Sequence, residues 1–167
     1  MSSKDDYTSQ EWATLIKAPM MVSYAVMGAA PSGGIALVKE MKAVADAIVD
    51  SGEHAPAGSL IQAVVNEIKM NATDGSHGPK ETIPSGEIKG KAIELCRDVA
   101  QILQSKTTDE EAHGYKLWLL SVGKSVAEAA KEGGFLIFGG TQVSDSEMEA
   151  LTEIASALGI ELSHEPS

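Results

Sequence analysis

The chain has 167 residues, of which 43% are hydrophobic and 22% charged, and its formal net charge is −11 at pH 7. That length buries roughly two-thirds of the surface its unfolded form exposes, so one domain can fold without a disulfide or structural metal. The acidity disfavours nucleic acid, which is bound through a basic patch; the longest weakly polar run, Ala18 to Ala30, is 13 residues, where a membrane span needs about 20.

In chain order, Met1 to Asp6 reads as a frayed end. Thr8-Ser9-Gln10-Glu11 has the spacing of a capping box, in which threonine and glutamate satisfy free N–H groups at a helix start. A first helix is expected from Ser9 to Ala18, with Pro19 ending it or opening the next, because proline lacks the N–H of an interior helical position. Pro19 to Ala30 is apolar nearly all round, as in a buried central helix. After the break Pro31-Ser32-Gly33-Gly34, Ile35, Val38, Met41, Val44, Ala45 and Ile48 form one helical stripe ending at Gly52. Ser59 to Gln62 repeats the capping spacing before a shorter helix through Leu60, Ile61, Val64, Val65 and Ile68 to about Asn71.

Residues 72 to 86 hold three glycines and two prolines, too many for helix or central strand, and read as a linker loop. A helix follows from Glu87 to Ser105, with Cys96 on its apolar stripe as a small buried hydrophobe rather than a nucleophile. Thr108-Asp109-Glu110-Glu111 is a third capping box, opening the longest helix, through Trp118, Leu119, Val122, Val126, Ala129 and Ala130 to Gly133. FLIF, flanked by Gly-Gly pairs, has no second strand to pair with and reads as a buried extended loop. Ser144 to Glu147 caps the last helix, with Met148, Leu151, Ile154, Ala155 and Leu158 inward and Gly159 as its stop. The expected fold is therefore all-α, about seven helices in one bundle-like domain over 1–167.

An internal echo crosses this order. VMGAAPSGG (Val26 to Gly34) and VAEAAKEGG (Val126 to Gly134) agree at five of nine positions, 100 residues apart. Residues 1–71 and 87–160 are candidate related halves, each containing a helix–break–helix unit, the second elaborated by the FLIF loop. Phe135 and Phe138 are then candidate residues of an interaction loop, or of a pocket for an apolar ligand against the central helix.

Most catalytic chemistries fail on their residues. The lone cysteine cannot form an internal disulfide, and no N-terminal signal pattern is present, so a soluble, cytoplasmic protein is expected. Gly123-Lys124-Ser125 lies mid-helix with Trp118 where a phosphate loop needs glycine. Asp74-Gly75-Ser76 opens like a calcium loop, but Pro79 and Ser85 stand at positions requiring glycine and glutamate. No serine sits on a Gly-x-Ser-x-Gly turn. Ser32-Gly33-Gly34 precedes a helix start of the kind that can hold an anion, although helix termination explains it as well. Asp46, Asp50 and His54 share a helical spacing, with Gly52 expected to end the helix first.

One metal constellation stands. Glu110-x-x-His113 has the spacing of a carboxylate-bridged di-metal helix, and Glu94 and Asp98 could supply further oxygen ligands, with Glu128 also in reach. A solvated polar face is the competing account of all of them.

VSDSEMEALTEIASALGI (Val143 to Ile160) resembles the acidic helix of the tellurite-resistance TerB-like proteins. The resemblance implies an all-helical, pseudo-duplicated fold associated with divalent metal. The family's Asp-Gly-x-Val-Ser segment corresponds here to Gly140-Thr141-Gln142-Val143-Ser144, so glycine replaces the metal-binding aspartate while Glu147 keeps its acidic position. More broadly the chain resembles bacterial all-helical proteins. The functional expectation is a non-catalytic helical module without a cofactor, acting through protein or small-ligand contact; the alternative is a divalent-metal-binding protein. Met20, Met21 and Met27 offer an adaptable surface for a homodimer or another protein partner, unless they fill the core.

Overall fold

The computed structural model describes residues 2–28, 37–73, 85–133 and 145–161. Six α-helices are present among them: α1 (Ser9–Gly28), α2 (Leu37–Glu53), α3 (Leu60–Thr73), α4 (Ser85–Lys106), α5 (Asp109–Gly133) and α6 (Asp145–Leu158), preceded by a 3₁₀ turn at Lys4–Asp6. The all-α expectation holds, and the helices form one packed arrangement in which α1 lies against both α4 and α5. None of these helices is long and apolar enough to cross a membrane.

The number of helices is six rather than seven because Pro19 does not divide α1; it sits inside it. Proline at that position deprives the carbonyl of Leu15, four residues earlier, of its helical donor. The phenol of Tyr115, from the second turn of α5, donates to that carbonyl at 2.7 Å, wholly inside the protein. Ser23 Oγ in turn donates to the Pro19 carbonyl at 2.7 Å. The helix therefore continues because a side chain 100 residues away supplies the missing hydrogen bond. Burial pushes the Tyr115 hydroxyl well above the usual tyrosine range, which keeps it a neutral donor.

The caps form largely as their spacing predicts. Thr8 N–H donates to the Glu11 carboxylate at 2.7 Å and Glu11 N–H to Thr8 Oγ1 at 3.2 Å. Gln62 N–H reaches Ser59 Oγ at 3.3 Å, while Glu111 N–H reaches Thr108 Oγ1 at 3.3 Å. Gly159, at φ +75°, closes α6, with Ile160 N–H donating back to the Ala155 carbonyl at 2.8 Å; this left-handed step followed by a six-to-one hydrogen bond is a Schellman motif.

Two further expectations are corrected, the frayed N-terminal end and the inward place of Met148. The N-terminal stretch is pinned, since Ser2 N–H and Oγ both donate to the Glu111 carboxylate, at 3.1 and 2.8 Å, and Lys4 Nζ meets Glu67 at 2.9 Å. Tyr7 is buried there beside Trp12, their rings 5.8 Å apart. α2 ends at Glu53, before His54 as expected, and its penultimate residue is Gly52. It is buried within the helix, and a Cβ on it would overlap the Val65 side chain, so its role is close approach of α3. In α6, Met148 is 44% exposed and Glu147 is 3% exposed. The inward stripe there is Glu147, Ala150, Leu151, Ile154, Ala155 and Leu158, at spacings of three and four. Met21 is buried and Met20 and Met27 pack against the core, so the methionines fill space inside α1's surroundings.

Replacing Tyr115 by phenylalanine is expected to cost about 1–3 kcal/mol of unfolding free energy, because the Leu15 carbonyl is left buried and unpaired. Adding Pro19→Ala restores a helical N–H to that carbonyl, so urea denaturation of the double variant should recover part of the loss. A second prediction concerns acid. The N–H of Thr8 holds the Glu11 carboxyl below its usual range, so its stabilising effect is present above the unfolded-state value and is lost as pH falls through the lowered folded one. In Glu11→Gln the fall of melting temperature on the acid side should be shallower than in the parent.

Candidate functional site

A cleft of about 720 Å³ lies between the C-terminal end of α2, the turn that follows it and the outer face of α5. Its α5 side is Gly114, Leu117, Trp118, Ser121 and Ser125, a set spaced by three, four and seven as one helical stripe must be. Its other side is Ala47, Asp50, Ser51, His54, Ala55, Pro56 and Ile61. The turn between α2 and α3 is fixed by Gly58 at φ +76°, a conformation that favours glycine, and by a Ser59 N–H bond to the Pro56 carbonyl.

Trp118 is the fixed point of the groove. Its indole N–H donates to Ser51 Oγ at 2.8 Å, and that hydroxyl donates to the Ile48 carbonyl at 2.8 Å, tying the ring to the last turn of α2. Beneath it the Tyr115 ring packs at 5.4 Å and 57°, a tilted arrangement favoured by aromatic quadrupoles. Leu117, next to it, is 44% exposed. Gly114 removes what would otherwise be a side chain above the floor: a Cβ built there meets nothing within 4 Å. At the rim, His54 Nδ1 lies 3.2 Å from the Asp50 carbonyl and both side chains face solvent. The arrangement offers a greasy floor, three hydroxyls and one carboxylate; it suits recognition of a partly apolar surface or ligand.

The residues proposed as metal ligands do not come together. Glu94 and Asp98 lie on the exposed face of α4, and Glu110 and His113 on the exposed face of α5 near its start. Asp98 instead borders a separate polar cleft of about 400 Å³ between α4 and α1, with Glu11, Thr14 and Gln101. Among the described residues no group of three or more His, Cys, Asp or Glu is placed to hold a metal ion. Cys96 is fully buried, and burial pushes its thiol up to about 12, so it is protonated and unreactive at neutral pH. Gly123 lies inside α5, where a Cβ would crowd Leu151 at 2.9 Å and Val22 at 3.1 Å; it lets α5 approach α6 and α1 and has no phosphate-loop role. The FLIF segment with Phe135 and Phe138, the 74–84 segment, Ser32 to Gly34 and His164 lie outside the described residues.

Glu111 joins three elements. Its carboxylate accepts from Ser2 and, at 3.2 Å, from Leu60 N–H in the first turn of α3, where the positive end of a helix favours an anion. The third capping box is therefore only half closed, because its glutamate is used across the fold.

No protein-family model matches the sequence, and no curated protein or solved structure matches it either.

Ser51→Ala removes the acceptor of the Trp118 indole N–H. It is expected to cost about 1 kcal/mol in chemical denaturation, and to broaden the Trp118 side-chain NMR signals more than those of Trp12.

Proposed function

We propose that the protein is a non-catalytic helical module that acts by contact, with a protein or a small ligand, through the groove between α2 and α5. The observation that carries this reading is the groove itself. Its floor is Trp118 held rigidly by Ser51 and Tyr115, its side is an exposed leucine, and its rim carries Asp50 and His54. Rigid aromatic surface beside an exposed aliphatic residue is the composition of contact sites, where ordering costs little on binding.

A screen of small apolar and amphipathic fragments, read by amide chemical shifts, should give perturbations clustered at residues 47–61 and 114–125. Gly114→Leu, which fills the groove, should abolish them with the melting temperature nearly unchanged. Perturbations that scatter over the surface, or that persist in Gly114→Leu, sink the reading.

The second reading is a divalent-metal protein of the TerB-like type. One observation favours it: Glu147, the acidic position that the resemblance retains, is buried at the start of α6. The set Glu94, Asp98, Glu110 and His113 does not fit a metal, being dispersed over two exposed faces. Elemental analysis separates the two readings: stoichiometric iron, manganese or zinc in the purified protein replaces the first, and a metal-free protein that gains no thermal stability on adding these ions removes the second.

A further inference from the structure

α1 and α5 begin 100 residues apart, at Ser9 and Asp109, each behind a Thr-x-x-Glu cap. Their burial repeats in the same register. Over positions 11–20 and 111–120, nine of ten pairs share the same degree of burial, the exception being Met20 against Leu120. One turn further on, Val22, Ser23 and Val26 remain matched by buried Val122, Gly123 and Val126. The register then breaks: half-buried Met27 has buried Ala127 as its counterpart, and three other pairs differ in the opposite sense. Met21 and Ala25 are buried whereas Ser121 is exposed and Ser125 half-buried, and half-buried Tyr24 has exposed Lys124 as its counterpart.

Among the described residues that side of α1 faces α4, whereas on α5 it is bordered only by the end of α2, across the groove. α4, 22 residues long, packs along α1 more extensively than any other helix and also covers α6. The two run antiparallel, the end of α4 meeting the start of α1, where Lys106 Nζ lies 3.8 Å from Glu11 and 3.2 Å from the Asp6 carbonyl. α3, only 14 residues, packs on α2 and meets α5 near its start, where Glu111 holds Leu60. Thr14 borders α4 across a small cleft and is the counterpart of Gly114, so the α5 stripe from Gly114 to Ser125 corresponds to the side of α1 that faces α4. It carries Leu117, 44% exposed, where α1 has the exposed cation Lys17.

We propose that the groove between α2 and α5 seats an amphipathic helix of a partner protein, laid on α5 as α4 is laid on α1. The inference rests on the contact reading above and names its partner class. Gly114 to Ser125 spans roughly 16 Å, so the seat takes about three turns of helix. Gly114, Ser121 and Ser125 are small enough for a backbone to approach, and Leu117 and Trp118 meet an apolar stripe with the spacing i, i+3, i+4, i+7. Asp50 fixes the sign of the flank. It is the one acidic side chain lining the groove and makes no ion pair among the described residues, whereas Glu53 on the same turn is paired with Lys69 at 3.5 Å. In a chain of net charge −11, the complementary helix carries lysine or arginine beside its apolar stripe.

The test uses the full-length protein and synthetic stapled helical peptides of about four turns, with a leucine stripe and either lysine or glutamate flanks, plus a scrambled lysine peptide. Binding is read by fluorescence anisotropy and by amide shifts. The lysine-flanked helix should bind with micromolar affinity and shift residues 114–125. Leu117→Lys, an exposed position that folding tolerates, should weaken it about tenfold, and Asp50→Asn about threefold. Failure of every peptide, or binding that ignores Leu117→Lys or equals that of the scrambled peptide, overturns the proposal. If peptides fail while apolar fragments still shift groove amides, the helix seat falls and the contact reading survives; if neither acts there, both fall. Concentration-dependent shifts of 114–125 in the protein alone would identify a second copy as the occupant and overturn the choice of a separate partner.

Discussion

The hydrogen bond from Tyr115 to the Leu15 carbonyl is the constraint on which the arrangement of helices turns. A proline in mid-helix leaves a carbonyl that water cannot reach in a closed core, and an unpaired buried acceptor is costly. Only one orientation of α5 against α1 brings a phenol to it. The Tyr115 ring then packs under Trp118, whose indole N–H reaches Ser51 at the end of α2. A continuous path of contacts runs from the midpoint of α1 to the floor of the groove. The floor of the proposed site is therefore braced by a hydrogen bond made wholly inside the protein.

Around that path the helices are held close by small residues and tied at their ends by polar ones. Gly52 admits α3 to α2, and Gly123 admits α1 and α6 to α5. Lys89 bridges α4 to Glu153 of α6 at 3.0 Å, but both side chains are over a third exposed, and such a pair adds little. Glu111 matters more, because one half-buried carboxylate receives donors from the N-terminal segment and from α3. α5 packs on α1, α2 and α6, and its stripe from Gly114 to Ser125 borders the groove.

Much of this was legible in the sequence where the cause is local. The caps at Thr8, Ser59 and Thr108, the glycine stop at 159 and most of the apolar stripes depend on residues within one or two turns and are found where the spacing places them, Met148 of α6 being an exception. What was not legible depends on partners far away in the chain. Pro19 reads as a boundary because its compensating donor lies at 115. Gly52 reads as a helix end alone, because Val65, whose close approach also requires a glycine there, is on another helix. The groove was hidden for the same reason, because its two walls, from Ala47 to Ile61 and from Gly114 to Ser125, lie far apart in the chain. A single sequence signal pointed to it: Leu117 lies beside the apolar stripe of its helix, not on it. The metal set failed for the opposite reason, because matching spacings on two helices do not make their faces converge.

The proline in α1 also has a consequence in time. While the chain is being made, α1 leaves the ribosome about 100 residues before the tyrosine that completes it, some 5–20 seconds at ordinary synthesis rates. Until then the two halves of α1 are joined through an incomplete turn, and its apolar surface lacks both α4 and α5. The first third of the protein is thus unable to reach its final form by itself; it waits on the second half, and any pause in synthesis between the two prolongs the exposure of the most apolar helix in the chain.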